Sequence, residues 1–226
     1  MPQLIAMIIV VVGAMIYMFQ TFGGTGDKIE GVAQKTSIIT EVNNIKNGVK
    51  LAARSGHVAK STGTANAGAA QDMRQLGQLN YFAQQINEQL AANTVAANAN
   101  NYYAISFGIG TATDPNEDMI ISLVNNRADV VPGLYVDFSQ GTLASNAGFL
   151  EAQIANDLEA IARIDRKATA ATAATGKWGG ATTGIDSRIP AATTTGGSDT
   201  DGKFIIYFTD FASNELVVDT TATTNP

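Results

Sequence analysis

The sequence predicts an α+β fold in which a long N-terminal helix, first hydrophobic and then amphipathic, carries a globular head with an antiparallel β-sheet and extra helices. Three observations lead there. Residues 1–26 contain no Lys, Arg, Asp, Glu or His. Residues 27–54 then repeat apolar side chains at helical spacing. Downstream, short runs of β-branched and aromatic residues alternate with further helical patterns.

The first element is the unbroken apolar run Leu4 to Phe19, with Gln3 and Gln20 as its nearest polar neighbours. At about 1.5 Å rise per residue, a helix from Gln3 to Phe22 is roughly 30 Å long, the depth of a bilayer core. A helix apolar on every face does not rest in water, so it needs lipid or other copies of itself around it. Pro2 falls in the first turn, where a missing N–H costs nothing. No cation precedes the run, which is also longer than a secretory signal requires. Removal of a basic leader ahead of Met1 accounts for that missing flank. Gly23, Gly24 and Gly26 predict a break or hinge, and Gly13 a milder weak point.

From Asp27 the pattern becomes amphipathic. Ile29, Val32, Thr36, Ile39, Val42, Ile45, Val49 and Ala52 form one stripe, with Asp27 and Glu30 in the first turn and Lys50 and Arg54 near the end. Gly56 is the expected stop. Ser61 to Ala70 reads as a loop. Met73, Leu76, Leu79, Phe82, Ile86 and Leu90 predict a second amphipathic helix. Tyr102 to Ile109, Met119 to Val124 and Leu134 to Phe138 read as strands. Phe149, Ile154, Leu158, Ile161 and Ile164 predict a third helix, capped near Ser145 or Asn146. Ala168 to Gly202, rich in Ala, Thr and Gly, reads as a long surface loop. Lys203 to Thr209 is the clearest strand, and Leu216 to Asp219 is expected to complete a C-terminal hairpin with it. The organisation expected is an anchor with its hinge at 1–26, an amphipathic half-helix at 27–56 and a head at 57–226.

Composition removes several function classes. Charged residues make up 15 % of the chain and the formal charge is −6. With its few cations dispersed, the monomer is not expected to bind nucleic acid. The chain has no cysteine, which excludes thiol catalysis, thiolate metal sites and disulfides. His57, the one histidine, lacks partners for a triad and reads as a solvated residue past a helix end.

Asp199 and Asp201, followed by Gly202, resemble the first half of a calcium loop, with Asp210 or Asp186 as further oxygens. The preferred reading is a polar turn ahead of a strand. Gly108 and Gly110, Gly179 and Gly180, and Gly196 and Gly197 do not have dinucleotide-binding context. Glu151, Asp157, Glu159 and Asp165 read as the solvated face of the third helix. No catalytic residue and no cofactor is expected, calcium being the one weak candidate.

An apolar N-terminal helix passing into an amphipathic helix and then an α+β head resembles the type IV pilin family, over residues 1–54. The start at Met1 is similar to the type IVb class. The resemblance implies a mature chain released by a prepilin peptidase and anchored in the inner membrane. The pilus assembly machinery would then build it into an extracellular homopolymer. It further implies a filament core of Leu4, Ile5, Ile8, Val11, Val12, Met15, Ile16 and Phe19, with loss of helicity at Gly13, Gly23, Gly24 and Gly26. Two features differ from the family pattern: Ile5 stands where the family has Glu, and there is no C-terminal disulfide. The function expected is that of a structural filament subunit. A single-span anchored surface binding protein and a type II secretion pseudopilin are the alternatives. The Thr runs at Thr193–Thr195 and Thr220–Thr224 read as unmodified loops.

Overall fold

The computed structural model describes residues 31–63, 68–107 and 119–220. The expected anchor, the filament-core positions Leu4 to Phe19 and the hinge glycines lie outside the described residues. So do the turn at 111–118 and the Thr run after Thr220. No helix among the described residues is long and apolar enough to cross a membrane.

Residues 31–54 form helix α1, about 36 Å long at 1.5 Å per residue. Ile38, Val42, Ile45, Val49 and Ala52, spaced by three and four, are fully buried on one face. Gly48 lies on that face, and a Cβ there would stand 2.3 Å from the Phe82 ring and 2.7 Å from the Tyr81 carbonyl oxygen. Only a glycine lets this turn sit against the helix backbone. The helix stops as expected at Gly56, whose φ is 69°. The His57 N–H reaches the Ala52 carbonyl and the Gly56 N–H the Ala53 carbonyl, both at 2.9 Å, which makes a Schellman motif.

The single second helix expected between Met73 and Leu90 is two helices. α2 spans Met73–Gln78, capped by the Asp72 carboxylate accepting from Gln75 N–H at 2.8 Å. α3 spans Gln84–Ala92. Between them Asn80 takes φ 60°, which Asn tolerates. The buried Asn87 amide accepts from Phe82 N–H at 3.2 Å and donates to its carbonyl at 2.8 Å. The break turns Phe82 into the notch at Gly48.

The strands are β1 (Asn101–Tyr103), β2 (Ile120–Val124), β3 (Gly133–Asp137), β4 (Ala162–Asp165) and β5 (Lys203–Phe208). They make one antiparallel sheet in the order β1-β2-β3-β5-β4. Register sorts the side chains, because directly paired residues share a face. Tyr102, Ile121, Val136 and Phe204 line up across four strands, and Leu123, Leu134, Ile206 and Ile164 form the next row. These rows face α1 and helix α4 (Ala147–Leu158). Tyr135, Ile205 and Asp165 form a row on the other face, where the Tyr135 hydroxyl donates to Thr169 and Asp165 accepts from Thr193. The stretch 168–202 therefore covers that face, with only short 3₁₀ turns at Trp178–Gly180 and Ile185–Arg188.

Three expectations need correction. The third helix ends at Leu158, and Ile164 belongs to β4, an edge strand with no strong alternation of its own. The first strand stops at Tyr103 and a 3₁₀ turn, Ile105–Phe107, follows. The C-terminal hairpin does not form, because β3 and β4 already occupy both edges of β5. Val217 instead exchanges hydrogen bonds with Asp129 and Val130, and Val218 with Val58 and Lys60. The last described residues thus tie the segment after α1 to the loop before β3.

The notch at Gly48 can be tested directly. Gly48→Leu forces Phe82 off α1 and is expected to cost about 1–3 kcal/mol, a fall in Tm of several degrees. An unchanged melting curve contradicts the close packing described.

Candidate assembly surface

The charges on α1 all turn toward the head. Lys35 Nζ lies 2.7 Å from Asp157 on α4, and Lys46 and Lys50 lie 2.9 and 3.0 Å from the same Asp210 oxygen. Their ammonium groups also sit over phenyl rings, Lys46 at 4.5 Å from Phe208 and Lys50 at 5.6 Å from Phe211. Arg54 donates through Nε and Nη2 to Glu215 Oε1 at 2.9 and 2.6 Å, and Ala212 N–H reaches Oε2 at 2.8 Å. Glu41 is buried and accepts from the Tyr102 hydroxyl at 3.1 Å.

Burial pushes the Glu215 carboxyl up, but the hydrogen bonds from Ala212 and Arg54 and the nearby Lys50 charge outweigh it and hold it below its ordinary value. Partial burial likewise raises Asp210, and the two lysines more than reverse that. For Tyr102, burial and the Glu41 charge push the hydroxyl far above its ordinary value, so it remains a donor.

The opposite face of α1 is exposed and carries no charge from residue 31 to residue 53. Its exposed positions are Val32, Ala33, Thr36, Thr40, Asn44, Asn47 and Leu51, one stripe at helical spacing. Val32 and Thr36, expected on the buried stripe, belong to this outer one. The Thr36 hydroxyl donates to the Val32 carbonyl at 3.0 Å and Thr40 to Thr36 at 2.9 Å. Both hydroxyls are thus spent within the helix, and the threonines offer methyl groups outward. A water-facing helix side is ordinarily charged, so this stripe is the unusual surface of the molecule. The sequence holds a signal for it, since on a helical wheel of α1 the four cations fall to one side and the rest of the outer face carries none.

The other candidate residues fall elsewhere. His57 is not free of contacts, since its Nδ1 hydrogen-bonds the Tyr81 hydroxyl and the two rings meet edge-on at 5.7 Å. Asp201 accepts from Ser198 and Lys203 N–H groups at 3.1 and 3.0 Å, as a polar turn does, and the Asp199 carbonyl accepts from Arg166. No metal-holding group of three His, Asp or Glu occurs among the described residues.

Glu151 and Asp165 are not on a solvated face but fully buried. Glu151 accepts from Arg166 at 2.8 Å and from Gly202 N–H at 3.0 Å. Burial raises its carboxyl pKa, and those two contacts offset only part of the rise. Asp165 accepts from Thr193 N–H and hydroxyl at 2.8 and 2.6 Å. Both carboxylates fasten the stretch 168–202 to the head.

Comparison adds no relative. No protein-family model, no curated protein and no solved structure matches the chain.

The Arg54–Glu215 pair yields an asymmetric prediction. Arg54→Met leaves the fully buried Glu215 carboxylate with only the Ala212 N–H and Lys50, 3.9 Å away, and is expected to cost up to about 3 kcal/mol at neutral pH. Glu215→Gln is expected to cost less, because the largely exposed Arg54 regains water. In the native chain the lowered pKa values of Glu215 and Asp210 add stability above the unfolded carboxylate range, about pH 4. That contribution is lost as pH falls through the folded values. The Tm gap between native and Arg54→Met should therefore narrow from pH 7 toward acid, and a constant gap refutes the assignment.

Proposed function

We propose that this chain is a structural subunit of an extracellular type IV-like filament, polymerising through its N-terminal helix and carrying no catalytic residues. The observation that carries this reading is the uncharged outer stripe of α1, which follows the charge-free residues 1–26 along the same chain. Helices that pack without water favour small side chains and hydroxyls satisfied within their own helix. Ala33 and Ser37, and Thr36 and Thr40, repeat small residues four apart, which permits close approach of a second helix.

The physical logic is that of one segment with two environments. Lipid surrounds residues 1–22 before assembly, and the helices of other copies replace it afterwards, so little hydrophobic stabilisation is lost in the exchange. A prepilin peptidase and an inner-membrane assembly machinery are the partners this reading requires. An anchored monomeric binding protein would leave the α1 stripe in water, where charged side chains are the usual cover.

The test is electron microscopy of material sheared from the cell surface. Thin fibres are expected from the native chain, and none from Thr40→Glu or Asn44→Glu. Both substitutions are exposed and should alter head stability by no more than about 0.5 kcal/mol. Normal fibres from both variants, or a native chain that remains membrane-bound without fibres, would refute the reading.

A further inference from the structure

We propose that the cleft beside the edge strand β4 binds a neutral saccharide. The cleft has a volume of about 570 Å³, within the range of small-molecule sites. It is lined by Ala162, Arg163 and Ile164 of β4, by Asn156 and Glu159 at the end of α4, and by Arg166 and Trp178. It lies on β4 rather than on the outer stripe of α1, so it does not rest on the filament reading.

Trp178 is the only tryptophan in the chain and it is half-buried, packed on the core while still lining the cleft. Its position is set by backbone bonds. Trp178 N–H donates to Ile189 at 2.9 Å, Lys177 pairs with Pro190 and Gly180 N–H closes the turn onto Lys177 at 3.0 Å. An indole is a flat, electron-rich surface, and this one is held in place in an open cleft. The C–H face of a pyranose ring, with its partial positive charge, stacks on such a surface, and its hydroxyls need planar polar groups around the rim.

The charge pattern disfavours an anionic ligand. Arg163 is matched by Asp186, Nε to Oδ1 at 3.0 Å and Nη2 to Oδ2 at 3.3 Å. Arg166 is matched by Glu151 at 2.8 Å and by the Asp199 carbonyl. Both guanidiniums are neutralised in place, with Nη1 donors to spare. An anion would therefore find no net positive charge. Asn156 and Glu159 are exposed at the rim and supply donor and acceptor groups to hydroxyls. A purely apolar ligand would cover Asn156 and Glu159 without offering them partners.

The test uses the full chain in a detergent without a sugar headgroup. Because Trp178 is the single tryptophan, its fluorescence reports this cleft alone. Titration with a panel of neutral mono- to trisaccharides is expected to give a saturable change for at least one, in the range of roughly 0.1–10 mM. The double variant Asn156→Ala, Glu159→Ala keeps the tryptophan and alters only exposed side chains. It should weaken that binding about tenfold while Tm stays unchanged. No saturable response to any sugar overturns the proposal, as does equal affinity in the variant. A change that follows protein concentration instead of sugar also overturns it, and assigns the β4 edge to strand pairing between copies.

Discussion

The seam between α1 and the end of β5 governs the rest of the molecule. Three cations of the helix (Lys46, Lys50 and Arg54) meet two carboxylates, Asp210 and Glu215, over the rings of Phe208 and Phe211. Isolated surface ion pairs contribute little, about 0–1 kcal/mol each. This set differs because Glu215 is fully buried and must have its partners to remain there. The seam fixes which face of α1 the sheet covers, and so which face it leaves open. With no cysteine in the chain, packing and these bonds do the work that a covalent staple would otherwise do.

The same economy holds the other face of the sheet. A stretch from 168 to 202 with only 3₁₀ turns is poorly suited to cover a hydrophobic sheet, since it has few large apolar side chains. It is fastened at points: Asp165 holds Thr193, Glu151 and Arg166 hold the 199–202 turn, and Arg127 donates to the Ala174 and Gly176 carbonyls at 2.7 Å. Between the fasteners only a few residues, such as Ala168, Ala173 and Ile189, need be buried. Buried carboxylates here bind backbone groups and guanidiniums, and their burial follows from a loop that must be positioned without a core of its own.

What was legible in the sequence follows strength of periodicity. The face of α1 from Val42 to Ala52, the Gly56 stop, β2, β3 and β5 stand as expected, because each carries an unambiguous pattern or a residue with a specific backbone role; one turn earlier it is Ile38, not the expected Ile39, that is fully buried. The break between α2 and α3 was hidden because apolar spacing continued through it while Asn80 reversed the chain. β4 was hidden because its pairing comes from β5, a tertiary demand that four residues of Ala-Arg-Ile-Asp do not announce. The failed hairpin has the same cause: nearness in sequence to β5 counted for nothing once both its edges were taken. The outer stripe of α1 was legible in principle, but only by asking where the charges are not.

That absence links the described helix to the apolar residues ahead of it. A helix that merely supported a head in water would be expected to spread Lys and Glu over its open side, at little cost and with gains in solubility. On α1 every cation instead lies within reach of a head carboxylate, and the one acid, Glu41, is buried. Moving charges off one face and satisfying the Thr36 and Thr40 hydroxyls internally lowers the cost of removing that face from water. The head pairings are thus one half of a division whose other half is an uncharged outer face. On the filament reading proposed above, a helix of another copy could cover that face without having to match a charge.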